Sequence, residues 1–548
     1  MTNKLRIIPL GGLGEVGKNM TLFEYGEYSL LVDAGLMFPE NDMFGIDYLI
    51  PDFNYLIEKK DTLQGIIITH GHEDHTGAIR HVLAEVNPPI YATPLTRGLL
   101  EIKLRDAKLF DRANLNTIRA GDLIHLGPFA VEFFHVCHSI PDGVGLGIST
   151  PVGLIVHSGD FKFDHSPVDG WPTDYAKLAE FSGRGVLALL ADSTNADKPG
   201  WTPSEAVIDS AMDHVFREAP GRILAATFAS HISRIQQVAN AAYRHNRKMA
   251  LVGTSMVENA RMAQKLGYLV VPEGLIVPTD EALKLPPKKV VIMTTGTQGE
   301  PTSILRRLSE GRNRQFDIQT NDTVVLSSNP IPGNEEGVHR TINRLLQRGA
   351  HVIYDPSALV HVSGHASAEE MKLLIHLVKP KHVVPIHGEL RHLTRHAAIA
   401  REVGIPAENT AVVENGAIIE FADGKMSMGG RVPGGYVYVD GTGVGDIGPS
   451  VMREREALGE DGFVIVNLRV NRAGQLVGKP EIISRGFIYV PEAEELFEAA
   501  RAHIAAVAAR PAANLREKVE QALSDFFYSE LKRHPMVFAL INPVDSLD

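Results

Sequence analysis

The segment Thr69-His70-Gly71-His72-Glu73-Asp74-His75 constrains this chain more than any other. It follows an apolar run, Gly65-Ile66-Ile67-Ile68, that reads as a buried strand. It then sets three imidazoles and a carboxylate within positions 70–75. Such a set is costly to bury unless its lone pairs meet a common partner. In a loop, alternate residues converge on one point, and imidazole with carboxylate suits zinc or manganese. A solvated His-rich loop is the competing reading, and it weakens because ligand types recur past other apolar runs. His138 follows Phe134-His135-Val136-Cys137, Asp160 follows Ile155-Val156-His157-Ser158-Gly159, and His387 follows His382-Val383-Val384-Pro385-Ile386. The ends of strands are where open sheets place their sites. Any one of these residues alone reads as a hydrogen-bonded core residue. Together, His70, His72, Asp74, His75, His138, Asp160 and His387 suffice for two divalent ions about 3.5–4 Å apart with one carboxylate bridging.

The rest of the chain shows how these segments are arranged. After His75, the residues Ala78, Ile79, Val82, Leu83 and Val86 recur at helical spacing, which predicts strand, ligand loop, helix. The pattern is strand-rich to about Asn195 and then changes. Apolar runs at 222–228, 249–253, 290–294 and 323–327 alternate with helix-like stretches at 231–248 and 334–348, the rhythm of a parallel α/β unit. Histidine-bearing strand ends resume at 351–420, so one domain is interrupted by another. The expected boundaries are 1–195 and 353–428 for the split domain and 196–352 for the insertion. A linker at 429–452, around the Gly-rich stretch Gly429 to Gly448, and a small α+β domain at 453–548 complete the chain. That last domain is expected to hold strands at Phe463–Val470, Phe487–Val490 and Met536–Leu540 and helices near 492–509 and 513–533.

Composition narrows the class. Across 548 residues, 44% hydrophobic and 22% charged residues are globular values and exclude a largely disordered chain. The one cysteine, Cys137, excludes an internal disulfide framework and a Cys-based zinc finger, and fits a reducing cytoplasm. The opening MTNKLRIIPLGG lacks the apolar core of a signal peptide, and no run approaches the roughly 18 apolar residues of a membrane span. A soluble, cytoplasmic protein without a membrane partner is therefore expected. The formal net charge of −12 disfavours indiscriminate polyanion binding. Yet residues 196–351 carry 19 Lys or Arg against 15 Asp or Glu, so positive charge gathers in the insertion. One motif misleads. Gly12-Leu13-Gly14-Glu15-Val16-Gly17-Lys18-Asn19 imitates GxGxxG and most of a Walker A loop, but Asn19 stands where a magnesium-binding hydroxyl belongs. The residues after it read as a hairpin turning at Gly26 rather than as a helix. A tight turn between strands, rimming the site, is the expectation there.

At this point the chain resembles a known superfamily. HxHxDH with later His and Asp ligands, and Asp33 in Leu31-Val32-Asp33-Ala34-Gly35, resemble the metallo-β-lactamase superfamily. The resemblance implies His70, His72 and His138 on one metal, Asp74, His75 and His387 on the other, Asp160 bridging, and Asp33 orienting ligand histidines. Asp192 in Asp192-Ser193-Thr194-Asn195, His365 in His361-Val362-Ser363-Gly364-His365, and His387 match the three signature motifs of the β-CASP subgroup, which acts on nucleic acids. Segments 228–234, 294–301 and 327–335 look like bacterial ribonuclease J, with likeness over nearly the whole chain. The fold implied is α/β with α+β: a metallo-β-lactamase αββα sandwich interrupted by an inserted parallel α/β β-CASP domain, plus a small α+β C-terminal domain.

The function implied is a metal-dependent ribonuclease acting on single-stranded RNA. It would be a 5′-to-3′ exonuclease preferring 5′-monophosphate ends, with endonuclease activity, in rRNA processing and mRNA decay. Two divalent ions are implied, zinc first with manganese compatible, as are a homodimer or homotetramer and partners in an RNA-degradation complex. In this reading Asp74 orients water or accepts its proton, and His365 contacts the scissile phosphate and assists the departing oxygen. Asp192 orients neighbouring ligands, or is simply an Asx-turn residue. Ser363, Gly364, His365 and Ser367, with His361, are candidates to cradle a terminal phosphate. Ser230, His231, Ser233 and Arg234 are candidates for a second clamp, with ordinary turn chemistry as the alternative. A small-ester or lactam hydrolase and a catalytically silent RNA-binding scaffold are the rival functions. The three additional motifs oppose the first, and the intact ligand set opposes the second.

Overall fold

The computed structural model describes residues 4–544 apart from 41, 301–302, 332–333, 356–357, 490–492 and 510–513. Of the expectations above, those at Pro301, Pro332, Gly333 and Val490, and at the first residues of the helices near 492 and 513, lie outside the described residues. The chain divides into two compact units, Met1–Phe38 with Tyr48–Val437 and Pro39–Asp47 with Tyr438–Asp548.

In the first unit two mixed sheets lie face to face. One has eight strands in the order Lys425–Arg431, Ala417–Ala422, Leu5–Gly11, Met20–Tyr25, Tyr28–Val32, Leu63–Ile67, Ile90–Ala92, Leu115–Thr117. The other has six, in the order His382–Ile386, Val186–Asp192, Gly153–His157, Val144–Thr150, Phe129–His135, Leu123–Leu126. Between them pack Ile7, Phe23, Leu30, Val32 and Ile67 from the first sheet and Val131, Phe133, Leu146, Ile155, Leu190 and Val384 from the second. Strand side chains alternate between faces. Accordingly Phe134, Leu154, Val156 and Leu189 point the other way, onto helices Tyr175–Arg184, Ala368–Val378 and Leu390–Glu402. Helix Pro94–Asp106 packs on Ile90–Ala92 and Leu115–Thr117 at the outside of the first sheet. The αββα sandwich is thus present.

The insertion leaves after Val186–Asp192 and returns before His382–Ile386. These two strands pair in parallel, Ala188 with His382 through Asp192 with Ile386. That register sets Asp192 beside His387 although almost two hundred residues separate them in sequence. The inserted sheet is wholly parallel, in the order Lys248–Leu251, Val290–Thr294, Ile223–Ala226, Thr323–Leu326, His351–Ile353. Ile223, Ala225, Val291 and Met293 face helices Val207–Glu218, Ile232–Arg244 and Thr254–Leu266. Leu224, Ala226, Ile292 and Val324 face helices Ile304–Ser309 and Glu335–Gln347. The expected boundary at 352 falls inside the last strand of this sheet.

In the second unit, strands Glu481–Arg485, Phe463–Val470 and Met536–Pro543 form a sheet backed by helices Glu494–Ala508 and Leu515–Leu531. Val464, Val466 and Leu468 meet Phe497, Ile504, Val519, Leu523 and Phe527 in its core. The stretch expected as a linker, 429–452, instead holds the end of Lys425–Arg431, two short strands and the start of helix Pro449–Asp461. Glycine-rich segments hide such strands, because ladder hydrogen bonds need no side chain and so leave no pattern. Among the described residues no helix is long and apolar enough to cross a membrane.

Candidate metal centre

The site grows out of strand ends. Past Leu63–Ile67 the chain turns through Thr69 and begins a single helical turn, Glu73–Thr76, with His72 at its N-terminal boundary. Asp33 organises that turn from the neighbouring strand. One carboxylate oxygen accepts the Thr69 N–H at 2.8 Å. The other accepts the Thr69 hydroxyl at 2.9 Å and the His75 Nδ1–H at 2.7 Å. With Nδ1 spent on Asp33, His75 presents Nε2 inward, the arrangement that fixes ring and tautomer in metal-ligating histidines. Asp33 and His387 both hold left-handed backbone, φ 63° and 51°. That conformation is uncommon for residues with a Cβ and concentrates at functional sites.

Two groups of inward-facing atoms result. In the first, His70 Nε2 and His138 Nε2 each lie 3.1 Å from His72 Nδ1. The Nδ1–H of His138 donates to the Gly364 carbonyl at 2.7 Å, so its Nε2 carries a bare lone pair. Tetrahedral zinc with bonds of about 2.0–2.1 Å holds its nitrogen ligands roughly 3.3 Å apart. Three imidazole nitrogens at this spacing fit one cation. Burial drives His70 and His138 well below their ordinary values and His72 down to about 4, so all three are neutral, as ligands must be.

In the second group Asp74, His75, Asp160 and His387 lie within 4.8 Å of one another. His75 Nε2 is 3.2 Å from Asp160 Oδ2 and 3.6 Å from Asp74 Oδ2. His387 lies 2.9 Å from Asp160 through Nδ1 and 3.3 Å from Asp74 through Nε2. Asp160 belongs to both groups, because its Oδ2 also lies 3.6 Å from His70 and 3.7 Å from His138. Two fully buried atoms here, Asp160 Oδ2 and His387 Nε2, make no hydrogen bond. Unsatisfied buried polar atoms are rare and costly. Set among imidazoles and a second carboxylate, they are what a cation would satisfy, so the donor set fits two divalent ions. Without a cation, burial lowers His75 and His387, but Asp160 and the neighbouring carboxylates outweigh it and hold both above their ordinary values.

His365 stands at the rim, with its side chain 20% exposed. Its Nδ1–H donates to Asp192 at 2.8 Å, which leaves Nε2 for other partners. Burial lowers its affinity for a proton, but the Asp192 carboxylate outweighs this and holds His365 above its ordinary value. The other Asp192 oxygen accepts the Thr194 N–H and hydroxyl at 2.9 and 2.8 Å. Asp192 is therefore an Asx-turn residue and the anchor of His365 at once.

The structure withdraws some of the phosphate-binding candidates from the surface and leaves others within reach. Arg234 is fully buried, donating to Glu205 at 2.8 Å, to Gln237 at 2.8 Å, to the Val360 carbonyl at 2.8 Å and to Ser327. Four of its five N–H groups are spent inside the protein, and the side chain has no surface to offer RNA. His231 is buried beside it. Ser367 is spent on a capping box with Glu370 at the start of Ala368–Val378 and on Thr202, at 2.8 Å. Gly364 packs closely on His138: a Cβ there would lie 2.7 Å from the ring. His361 is largely buried, and burial lowers it to about 3. Ser363 accepts from Asn195 at 2.8 Å and from the His365 N–H at 3.2 Å. Ser233 borders a void of about 20 Å³ beside His138. Ser230, by contrast, lines an open cleft of about 1160 Å³ that reaches Gly71 and Glu73 of the ligand loop. Lys103, Arg307, Arg312 and Arg314 line the same cleft. The excess of positive charge in the insertion hinted at the three arginines, without singling out residues, and nothing in the sequence reading pointed to Lys103.

Gly364→Ala tests the support of His138 directly. The methyl group displaces the ring, and the variant is expected to bind metal at the three-histidine group about 10–100-fold more weakly, as losses of orienting partners do. Zinc titration against a competing chelator measures it. Unchanged affinity would remove Gly364 from that role.

Comparison with known proteins agrees with this geometry. Models of the metallo-beta-lactamase superfamily match residues 13–202, and models of the Zn-dependent metallo-hydrolase RNA specificity domain match 355–409. The ribonuclease J beta-CASP domain matches 220–345 and the ribonuclease J C-terminal domain 450–544. Ribonuclease J of Synechocystis sp. is 46% identical over 489 residues, covering 89% of this chain and 76% of that protein. Ribonuclease J2 of Bacillus subtilis is 40% identical over 551 residues, covering 99% of each. The chain belongs to the ribonuclease J family. The ribonuclease J beta-CASP match lies within the inserted parallel sheet, and the RNA-specificity match spans the returning segment that carries His361, His365 and His387. A crystal structure of a protein of unknown function from Enterococcus faecalis V583 shares the fold, with a TM-score of 0.54 at 16% identity over 76% of this chain and 100% of that one.

Proposed function

We propose that this chain hydrolyses phosphodiester bonds of single-stranded RNA. In this reading His70, His72 and His138 hold one divalent ion, Asp74, His75 and His387 hold a second, and Asp160 bridges. The substrate class rests on the ribonuclease J relatives. The observation that carries the chemistry is Asp160 Oδ2, buried without a hydrogen bond 3.2–3.7 Å from three imidazoles. Divalent ions bound there supply charge to neutralise the transferring phosphoryl group and the acidity that makes water a nucleophile near pH 7. Asp74 and His72 are the two of the seven ligands that are not buried, and the Asp74 side chain is 30% exposed, so it can hold the attacking water in line and take up its proton. Asp192 fixes His365 through Nδ1, so Nε2 is free to meet a phosphoryl oxygen and hand a proton to the departing one. The open cleft admits a flexible strand whose phosphates Lys103, Arg307 and Arg312 can meet, and affinity should fall with salt accordingly.

The finer reading extends the same proposal. The enzyme works 5′ to 3′ from 5′-monophosphate ends and also cuts internally, with zinc as the first metal and manganese compatible. It acts in cytoplasmic rRNA processing and mRNA decay, as a homodimer or homotetramer and with RNA-degradation partners. Purified protein given 5′-monophosphorylated, 5′-hydroxyl and circular RNA separates these statements. The expected result is mononucleotide release, fastest from the monophosphate, slow opening of the circle, and loss of both on chelation with recovery on added zinc or manganese. Metal-replete protein that leaves all three substrates whole would sink the proposal.

A further inference from the structure

The Gly12–Asn19 loop imitates a phosphate loop, yet the backbone donors such a loop would need are spent. Gly12 N–H donates to Glu15 at 3.2 Å, Leu13 N–H to Asn415 at 3.0 Å, and Gly14 N–H to the Gly388 carbonyl at 3.0 Å. No helix opens after it; the next element is strand Met20–Tyr25. Its contacts run instead to the second group of ligands. At one end, Asn19 donates twice to the Asp74 carbonyl, from its backbone N–H at 3.0 Å and from Nδ2 at 3.2 Å. The same Nδ2 lies 3.1 Å from His75 Nε2. At the other end, Gly12 and Gly14 exchange hydrogen bonds with Gly388, the residue after His387.

We propose that Asn19 is a positioning residue for the second cation, and that this loop is the clamp joining Asp74 and His75 to His387. The inference rests on the dinuclear reading above. Four further observations support it. Gly12, at φ 90°, leaves no room for a Cβ, which would sit 2.4 Å from Asn19 Oδ1; the carboxamide is thus pressed between Gly12 and the Asp74–His75 pair. On the far side, Gly35 donates to the Asn19 carbonyl at 2.9 Å, and a Cβ on Gly35 would fall 1.6 Å from the Asp74 oxygen. Inside the loop, Lys18 is fully buried and pairs with Glu15 at 2.9 Å, and Glu15 also accepts from Asn415 at 2.9 Å. A buried ion pair of this kind makes the loop rigid only while both partners stay. Asn19 is also among the residues lining a void of about 10 Å³ that Asp33, His75, Asp160 and His387 line too, which sets it beside three of the candidate ligands of the second cation.

The test is Asn19→Ala in the full chain. Metal-free protein is compared with the unsubstituted chain by circular dichroism and melting, and zinc is then titrated against a chromophoric chelator. The expected result is an unchanged metal-free melt, native affinity at the three-histidine group, and roughly 10–100-fold weaker binding of the second ion, the usual loss when an outer partner is removed. Native affinity for both ions would overturn the proposal. So would equal weakening of both, or a lowered metal-free melt, either of which marks a merely structural residue. Asn19→Ser serves if the alanine variant does not melt cooperatively, with the same expectations, and failure of both to fold also overturns the role. If the unsubstituted chain binds fewer than two zinc ions, the dinuclear reading fails, and the Asn19 assignment falls with it.

Discussion

Alanine at Asp160 will lower kcat/KM on single-stranded RNA by more than about 10³-fold, equivalent to roughly 4 kcal/mol of transition-state stabilisation. Among the described residues no other carboxylate faces so many of the site histidines. Its two oxygens meet His387 at 2.9 Å, His75 at 3.2 Å, His70 at 3.6 Å and His138 at 3.7 Å, with His365 at 3.9 Å. Without it no carboxylate stands between the two groups of imidazoles, since Asp74 faces His75 and His387, both of the second group, and two cations would repel across the gap. Metal content should therefore fall together with rate. Asp160→Asn separates charge from shape, since it keeps the volume and one acceptor oxygen. It is expected to retain the fold and still lose most of the rate. Zinc at two per chain in the alanine variant, with kcat/KM within tenfold of native, would show that Asp160 does not bridge.

Charge reversal at Arg234 will prevent accumulation of folded protein rather than weaken RNA binding alone. A motif-level reading places this arginine on the substrate, with metal content unaffected by its loss. The structure places it in the core, where one guanidinium ties Glu205, on the chain's way into the insertion, to the Val360 carbonyl on its way out. Lys162, itself fully buried, lies 3.8 Å from Glu205 and 3.6 Å from Asp164. Removing one partner of a buried ion pair costs about 3–5 kcal/mol, because the other charge is left unpaired. Arg234→Met should show this loss in its urea midpoint, and adding Glu205→Gln should return most of it. An Arg234→Glu variant with a native midpoint and weakened RNA affinity would restore the clamp reading and refute this one.

The two residues differ in how much of their surroundings the sequence shows. Asp160 stands out because a metal demands particular atoms, and HxHxDH after an apolar strand has few structural uses. His138 and His387 were legible for the same reason once the strand ends were lined up. Arg234, His231 and Ser367 sit in segments just as polar, yet their side chains are consumed by Glu205, by burial and by a capping box. A polar residue near a motif looks the same in sequence whether its hydrogen bonds go to substrate or to the core. The contacts of Gly364 and Asn19 leave no mark in the sequence, because they run through one carbonyl and one carboxamide to partners far away in the chain.

The amino-acid order alone determined the ligand types, the interruption of one domain by another and the family likeness, because coordination chemistry and strand periodicity act over a few residues. Tertiary structure decided which polar groups stay free. Pairing of Val186–Asp192 with His382–Ile386 brings Asp192 and His387 together, and folding of the insertion buries Arg234. Hydrogen bonds and ion pairs are short-range, so their partners exist only once distant segments have met.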